Sequence, residues 1–282
     1  MKKISLIIPV YNAEPWFQEM LNSVLAQTWP HIQLVIVNDG STDRSEDIFL
    51  GCEPALKERL SEVIYLRHEQ NLSASEAINT ALPWCDGEYL CWADADDVLH
   101  PDSIRKKAEY LDRFPSLAMV RHNSVIFLQN SGRYAEIAKP EDKQVKNIFE
   151  DLLFSRTFCC PGCYMLRSEV FFACYPGRKI PVSRQGQNMQ MLLPPASVSD
   201  CGYMDDRLFL YRIHGANHSL SFSRFPDLLE RKKEFEQLQL RVLPHCRCDR
   251  EWWEARIHRY WQQETEDLKK SYLSAIRRHK GI

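Results

Sequence analysis

Short apolar runs alternate with amphipathic segments along the first hundred residues of the chain. Four of the runs have the length of buried strands: residues 4–8, 34–37, 63–66 and 89–93. The segments between them place apolar residues at helical intervals and predict three helices: residues 15–27, 45–60 and 73–82. Strands that alternate with helices form a parallel sheet covered by helices on both faces, so this pattern predicts an α/β fold.

The pattern is less regular beyond residue 100. It predicts further helices at residues 101–114, 148–154 and 186–193, the last of them stopped by Pro194 and Pro195. Strands are predicted at residues 119–128, as one or two strands, and at 208–212. From Phe225 onward the chain is charged and helical, with an approximate apolar stripe that contains Trp261, Leu268, Tyr272 and Ile276.

Polar residues follow three of the predicted strands at the point where each strand ends. The first strand runs into Pro9, Tyr11 and Asn12, the second into Asp39, and the fourth into an acidic cluster at residues 94–97. The carboxyl ends of parallel strands lie at the same edge of a sheet, and ligands of open sheets bind there. Taken singly, Asn12 and Asp39-Gly40 are also typical turn residues. Their convergence predicts a ligand site at this edge.

The acidic cluster Asp94-Ala95-Asp96-Asp97 directly follows the apolar run of the fourth strand. Carboxylates this close repel one another and resist ionisation unless a cation neutralises them. Hard oxygen ligands suit Mg²⁺ or Mn²⁺, which bind through one or two carboxylates together with the phosphates of a substrate. In the alternative interpretation, Asp97 or Asp102 only caps the helix that follows Pro101.

Composition excludes some functions and leaves others open. The chain has 282 residues and a net charge of −2, which gives no reason to expect nucleic-acid binding. It contains no apolar stretch near the roughly 20 residues that span a bilayer, and its first residues enter a strand without a signal-peptide pattern, so a cytoplasmic location is expected. The ten cysteines are then expected to be reduced and buried, with zinc binding by the group at 159–163 as the minor alternative.

Several motifs occur together in an order that resembles the family 2 glycosyltransferases. They are the segments 5–12, 23–28 and 37–43, then Asn71, Ala77, Asn79, 87–89 and 94–97, and finally 211–214 with Ser219. The resemblance implies a GT-A fold, a Rossmann-like and mostly parallel sheet flanked by helices. It also implies one glycosyltransferase domain at residues 1–222, with a nucleotide-sugar-binding half at 1–100 and an acceptor half at 101–222, followed by a helical extension at 223–282.

The resemblance assigns roles to the residues at the strand ends. Pro9, Tyr11 and Asp39 would hold the base and ribose of a nucleotide-sugar, expected to be UDP-linked. Asn12 would be a further nucleotide-sugar-binding residue, and Asp94 would contact the ribose or the sugar. Asp96 would ligate Mn²⁺ or Mg²⁺, and His214 would add a ligand or touch the phosphates, although a lone histidine after a strand is often only structural. The expected reaction is an inverting transfer of a hexose or N-acetylhexosamine to a hydroxyl of a glycan or lipid-linked acceptor in surface polysaccharide synthesis.

One position departs from the family pattern. Inverting members use a carboxylate as the general base, and the matching stretch here contains Gln187 and Asn188, both amides. An amide cannot accept a proton at neutral pH, so Asn188 marks the position of the usual base without its chemistry. Three interpretations follow: a different local alignment, another group as base, or a silent module that binds a nucleotide-sugar without transferring it.

The C-terminal segment is rich in basic residues: Lys269, Lys270, Arg277, Arg278 and Lys280. Such a helix could contact an anionic membrane surface that carries a lipid-linked acceptor, which would place the protein at the inner face of the membrane. The alternative is a helix that packs on the catalytic domain with a solvated basic face, and this is the preferred interpretation.

Overall fold

The computed structural model describes residues 1–215 and 224–280, in which the strands form two sheets flanked by helices. The strands are β1 (Ile4–Val10), β2 (Ile32–Asn38), β3 (Glu62–Arg67), β4 (Tyr89–Trp92), β5 (Val98–Leu99), β6 (Met119–His122), β7 (Val125–Leu128), β8 (Arg133–Glu136), β9 (Tyr164–Arg167), β10 (Cys201–Met204) and β11 (Phe209–Ile213). The α-helices are α1 (Phe17–Leu25), α2 (Ser45–Arg59), α3 (Ala74–Ala81), α4 (Ser103–Arg113), α5 (Phe149–Leu153), α6 (Ser168–Cys174), α7 (Asn188–Ala196), α8 (Phe225–Val242) and α9 (Arg250–Lys280).

The larger sheet has the strand order β10-β6-β9-β4-β1-β2-β3 and is mostly parallel. β1 pairs in parallel with β2 and β4, β2 with β3, and β6 with β10, whereas β9 runs antiparallel to β4 and β6. Every residue of β1 and β2 is buried, as expected for central strands covered on both faces. The apolar runs in the sequence are therefore the core of this sheet.

The register brings the ends of three parallel strands to one edge of the larger sheet. Val10, the last residue of β1, pairs with Asn38, the last residue of β2, and β4 pairs with β1 up to Trp92. The smaller sheet has the strand order β5-β11-β7-β8. The chain enters this sheet directly after the acidic cluster, because β5 begins at the residue after Asp97. Its strand β11 ends at Ile213, so His214 is the first residue after this strand.

Both ends of the helix predicted at residues 186–193 were predicted wrongly. It begins at Asn188 and continues through Pro194 and Pro195 to Ala196. Proline inside a helix removes the hydrogen bond to the carbonyl four residues earlier. For Pro194 that carbonyl belongs to Gln190, and it accepts a hydrogen bond of 2.9 Å from the hydroxyl of Tyr175 instead. A side chain from outside the helix thus compensates for the missing donor.

The structure also resolves two alternatives that the sequence left open. The segment 119–128 forms two strands, and these belong to different sheets. Asp102 stands at the N-cap position of α4, but its side chain makes no capping hydrogen bond and instead accepts one from Thr28 Oγ1 at 2.9 Å. The capping interpretation is therefore wrong for Asp102.

The C-terminal helices pack on each other and on the rest of the chain. The indole of Trp261 on α9 donates a hydrogen bond of 2.7 Å to Gln239 on α8, and Gln239 donates one of 2.6 Å to the carbonyl of Leu153. Tyr272 stacks on Phe225 with ring centroids 4.1 Å apart. The side chains of Ile276, Arg277, Arg278 and Lys280 lie outside the described part, so the membrane interpretation and the domain boundaries stay predictions.

Within residues 1–215 and 224–280, no helix combines the length and the apolar composition that crossing a bilayer requires. All ten cysteines are free thiols, as expected, but the expectation that they are buried is correct for only five of them, since four are partly buried and Cys159 is exposed. Burial raises the pKa of the Cys91 thiol to about 11, which makes it a packing residue with little thiolate at neutral pH.

Candidate functional site

A cavity of about 460 Å³ opens at the edge where β1, β2 and β4 end. Its wall contains every site residue predicted from the sequence: Pro9, Tyr11, Asn12, Asp39, Asp94, Asp96, Asn188 and His214. The convergence of the strand ends is therefore confirmed as geometry. Ser219, which the resemblance included in the closing motif, lies outside the described residues.

The loops that follow β1 and β2 are tied together by Asn12. This residue has a positive φ of 47°, in the left-handed region that asparagine tolerates better than most residues. Its side-chain carbonyl accepts a hydrogen bond of 2.8 Å from the backbone N–H of Thr42, and its own N–H donates one of 3.0 Å to Ser41 Oγ. Tyr11 lies beside it, half exposed at the cavity wall.

Asp39 is almost completely buried and is held by three donors. The backbone N–H groups of Leu72 and Ser73 donate to its two carboxylate oxygens, each at 2.9 Å. His68 Nδ1 lies 2.6 Å from Oδ1, and its Nε2 lies 2.8 Å from Thr80 Oγ1. The carboxylate is therefore fixed in orientation at the cavity wall, and these contacts to His68, Leu72 and Ser73 could not be inferred from the sequence.

The acidic turn after β4 brings three carboxylates together. Ligand atoms of Asp94, Asp96 and Asp97 lie within 4.8 Å of one another. Arg212 on β11 anchors the turn: its backbone N–H donates to Asp97 Oδ1 at 2.8 Å, and its Nε donates to the Asp96 carbonyl at 2.9 Å. The other carboxylate oxygen of Asp97 is buried and has no hydrogen-bond partner among the described residues.

Crowding and burial change the acidity of this cluster. Burial, and next the charge of Asp96, raise the pKa of Asp94 from 3.8 to about 7, although the hydrogen bond from Gln187 opposes the shift. Burial and the charges of Asp96 and Asp94 raise the pKa of Asp97 well above its ordinary value. Oxygen donors at this spacing, one of them buried and unpartnered, fit a hard divalent cation, which would favour ionised carboxylates.

His214 connects the acidic turn to an aromatic side chain that sequence reasoning missed. Its Nε2 lies 2.9 Å from Asp96 Oδ2, and its ring stacks on Trp16 with centroids 3.7 Å apart. Trp16 also lines the cavity and donates a hydrogen bond of 3.2 Å to Gln129. The only feature of the sequence that could have indicated Trp16 as a cavity residue is its position in the polar segment after the first strand.

Two amides occupy the part of the wall formed by the start of α7. Gln187 Nε2 donates a hydrogen bond of 3.0 Å to Asp94 Oδ1. Asn188 Oδ1 accepts one of 2.8 Å from the indole N–H of the buried Trp92. The first residue of α7 therefore lies beside the acidic turn, and Arg184 and Gly186 complete this side of the cavity. The sequence indicated Asn188 but neither its partner nor Arg184.

The family model described as Glycosyl transferase family 2 matches residues 5–172, which is more than half of the chain. This chain belongs to glycosyl transferase family 2. The matched region contains the loops after β1, β2 and β3 and the whole acidic turn. The resemblance predicted from the motifs is thus confirmed.

Curated relatives of this family 2 chain carry glycosyltransferase names. An uncharacterized glycosyltransferase of Rickettsia typhi is 26% identical over 170 residues, which cover 60% of this chain and 51% of the relative. One of Nostoc is 26% identical over 223 residues, covering 78% and 67%. The putative teichuronic acid biosynthesis glycosyltransferase TuaG of Bacillus subtilis is 38% identical over 108 residues, covering 38% and 41%. This chain spans about half the length of the Rickettsia typhi relative.

Solved structures of two transferases share the fold. TarS residues 1–349 of S. aureus, in complex with UDP-GlcNAc, superpose with a TM-score of 0.67 at 18% identity, covering 96% of this chain and 73% of TarS. The mannosyltransferase PcManGT of Pyrobaculum calidifontis, in complex with GDP-Man and Mn²⁺, gives 0.63 at 14% identity, covering 98% and 75%. The predicted α/β GT-A fold with C-terminal helices is confirmed.

Proposed function

We propose that this chain transfers a sugar from a nucleotide-sugar to a hydroxyl group of an acceptor with the help of a divalent cation. The observation that carries the proposal is the cavity, in a family 2 chain, where Asp39, the acidic turn and His214 meet. Its volume of about 460 Å³ lies within the range of about 300–1,000 Å³ that small-molecule sites occupy.

The donor would lie along the edge of the sheet. Pro9, Tyr11 and Asp39 would hold the base and ribose, Asn12 would also bind the nucleotide-sugar, and Asp94 would contact the ribose or the sugar. The proposed donor is a UDP-linked hexose or N-acetylhexosamine, supported by the UDP-GlcNAc complex of TarS, while the GDP-Man complex of PcManGT makes GDP-sugars the second choice to test.

The acidic turn would hold Mn²⁺ or Mg²⁺. Asp96 is the proposed ligand, with His214 beside it, and Asp94 and Asp97 have oxygens close enough to complete the site. A bound cation supplies Lewis-acid stabilisation for the negative charge that develops on a departing phosphate. Arg212 keeps the turn in place through its bonds to Asp96 and Asp97, and Trp16 keeps the His214 ring against the cavity.

The acceptor would approach from the side of α7. An inverting transfer to a glycan or lipid-linked hydroxyl is proposed, in surface polysaccharide synthesis at the inner face of the membrane. The name of the relative TuaG supports the polysaccharide assignment. Asn188 occupies the position proposed for the base but offers no proton acceptor of sufficient basicity.

Nucleotide release tests the proposal. Incubation with Mn²⁺, a panel of UDP- and GDP-sugars and candidate glycan acceptors should release the nucleoside diphosphate as the sugar passes to an acceptor hydroxyl, and Asp96→Ala should lower this turnover on the order of 100-fold or more while the fold is kept. Asp47→Ala, on the exposed face of α2, is the matched control and should turn over like the wild type. Near-wild-type turnover of Asp96→Ala would show that the cation assignment is wrong.

A second candidate function is a silent module that binds a nucleotide-sugar without transferring it. The amides Gln187 and Asn188, which are engaged with Asp94 and Trp92, favour this alternative because neither can take a proton from an acceptor. Nucleotide binding without release of nucleoside diphosphate, across donors and acceptors, would establish the silent module in place of the transferase.

A further inference from the structure

The segment that enters α7 is held by hydrogen bonds of its backbone at Ser183 and of most of its polar side chains. Ser183 exchanges two hydrogen bonds with Ser75 Oγ, at 2.9 and 2.8 Å, across 108 positions of sequence. Gln187 donates to Asp94, and Gln190 donates to the Gly186 carbonyl at 2.8 Å. The backbone around residues 183–190 is therefore held in a fixed position at the cavity wall.

Arg184 is the exception in this segment. Its side chain is exposed and lines the cavity, and it makes no ion pair or hydrogen bond within residues 1–215 and 224–280. The residue before it is the anchored Ser183. A charged side chain on such a fixed backbone, facing a cavity and without a protein partner, is available to a ligand.

The charges around the cavity indicate which ligand. Among the described residues that line it, Asp39, Asp94 and Asp96 are acidic, and Arg184 is the one residue with a permanent positive charge. A divalent cation at the acidic turn offsets two carboxylates and leaves the negative diphosphate of a nucleotide-sugar to be balanced by other groups. Guanidinium groups match phosphate oxygens with paired hydrogen bonds, so Arg184 suits this task.

We propose that Arg184 binds the diphosphate of the donor and supplies positive charge in addition to the divalent cation. This inference rests on the proposed transferase function and adds a donor-binding residue to it. The anchor between Ser183 and Ser75 supports the assignment, because Ser75 belongs to the start of α3 and the neighbouring Ser73 donates its N–H to Asp39. Arg184 is thus connected to the wall proposed to hold the base and ribose.

Calorimetric titration of the full chain tests this assignment. With Mn²⁺ present, Arg184→Gln should weaken the binding of UDP by about tenfold to a hundredfold, the range expected for a lost hydrogen bond to a charged group. The binding of uridine, which lacks phosphates, should not change. Arg184→Lys should bind UDP with an affinity between those of the wild type and Arg184→Gln, because lysine keeps the positive charge but cannot make the paired hydrogen bonds of a guanidinium group. Arg133→Gln, an exposed arginine on β8 outside the cavity wall, is the matched control.

The outcomes separate this proposal from the transferase function. If the wild type binds UDP and Arg184→Gln binds it equally tightly, Arg184 does not contact the diphosphate. A rise in the KM for the acceptor, with UDP binding unchanged, would assign Arg184 to the acceptor and would also overturn the proposal. A different result would reject the proposed transferase function, namely that the wild type binds UDP but transfers sugar from none of the donors tested.

Discussion

At the scale of single residues, Trp92 decides what Asn188 offers to the cavity. An indole N–H can only donate, so the carbonyl oxygen of the Asn188 amide must face Trp92. The amide nitrogen of Asn188 has no protein partner within the described part of the chain, and it is not buried. It therefore faces the cavity, where it presents N–H donors at the position proposed for the base.

Asn188→Asp exploits this arrangement. One oxygen of the new carboxylate would accept the indole N–H of Trp92, and the other would lie where the amide nitrogen now faces the cavity. We expect turnover to rise by about tenfold or more, because a positioned general base contributes on the order of 10²–10⁴. Steady-state kinetics between about pH 5 and about pH 8 should show a new acidic limb, since the carboxylate must be ionised to act.

The isosteric Asn188→Leu is the matched variant for this change, since it keeps the size and offers neither donor nor proton acceptor. Turnover of Asn188→Asp that equals that of Asn188→Leu would contradict the expectation and would show that residue 188 does not face the acceptor hydroxyl.

The sequence identified the site residues that lie at strand ends. Asp39 and Asp96 could be placed at one edge because each comes two or three residues after the end of an apolar run, and parallel strands end on the same side. Trp16, Gln187 and Arg184 could not be recognised in this way. Their partners or neighbours at the cavity are distant in the sequence, as with the pair of Gln187 and Asp94, and are set by the packing of the second half.

At the scale of elements, the turn after β2 packs directly against the turn after β3. Gly40 has a φ of 71°, and a Cβ atom added there would lie 2.5 Å from the carbonyl carbon of Gln70. This close approach brings the N–H groups of Leu72 and Ser73 to the carboxylate of Asp39. A side chain at position 40 would thus push apart two loops of the proposed donor site.

Gly40→Ala should therefore lower the free energy of unfolding by about 1–3 kcal/mol, through backbone strain and the clash with Gln70, and should also weaken nucleotide binding. Urea denaturation and titration with UDP measure the two effects. Gly51→Ala is the matched control, since Gly51 lies in α2 with no atom within 4 Å of its added Cβ. That change should stabilise the helix by up to about 1 kcal/mol. Equal stability of the two variants would contradict the packing argument.

Elements were predictable where local pattern and tertiary packing agree. The buried runs of β1 and β2 and the helices between them follow from periodicity alone. The continuation of α7 through its two prolines does not follow from periodicity. It depends on the hydrogen bond from the Tyr175 hydroxyl, at the end of α6, to the Gln190 carbonyl. The antiparallel insertion of β9 between β4 and β6 is likewise a consequence of topology, which no local pattern in that segment indicates.

At the scale of the whole molecule, the net charge of −2 is small, yet negative charge is concentrated at the cavity. The pKa of Asp94 is raised from 3.8 to about 7, so ionising this group costs the folded protein stability in the absence of a cation. For this group the sign is clear: the cation-free protein loses stability as the pH rises from about 4 to about 7, the interval between the ordinary and the raised pKa of Asp94. A bound cation reverses the effect because it requires the ionised carboxylate.

Stabilisation by Mn²⁺ should consequently increase with pH. We expect the rise in Tm at a fixed Mn²⁺ concentration to be small near about pH 6, to grow through about pH 7 and to level off above about pH 8, as protons cease to compete for Asp94. Thermal denaturation across this range, with and without Mn²⁺, measures the effect. Asp94→Asn removes the titrating group and should flatten the dependence, whereas Asp47→Asn on the exposed face of α2 should leave it intact. A Mn²⁺ effect that is constant from about pH 6 to about pH 8 in the wild type would show that the cation binds without displacing a proton from Asp94.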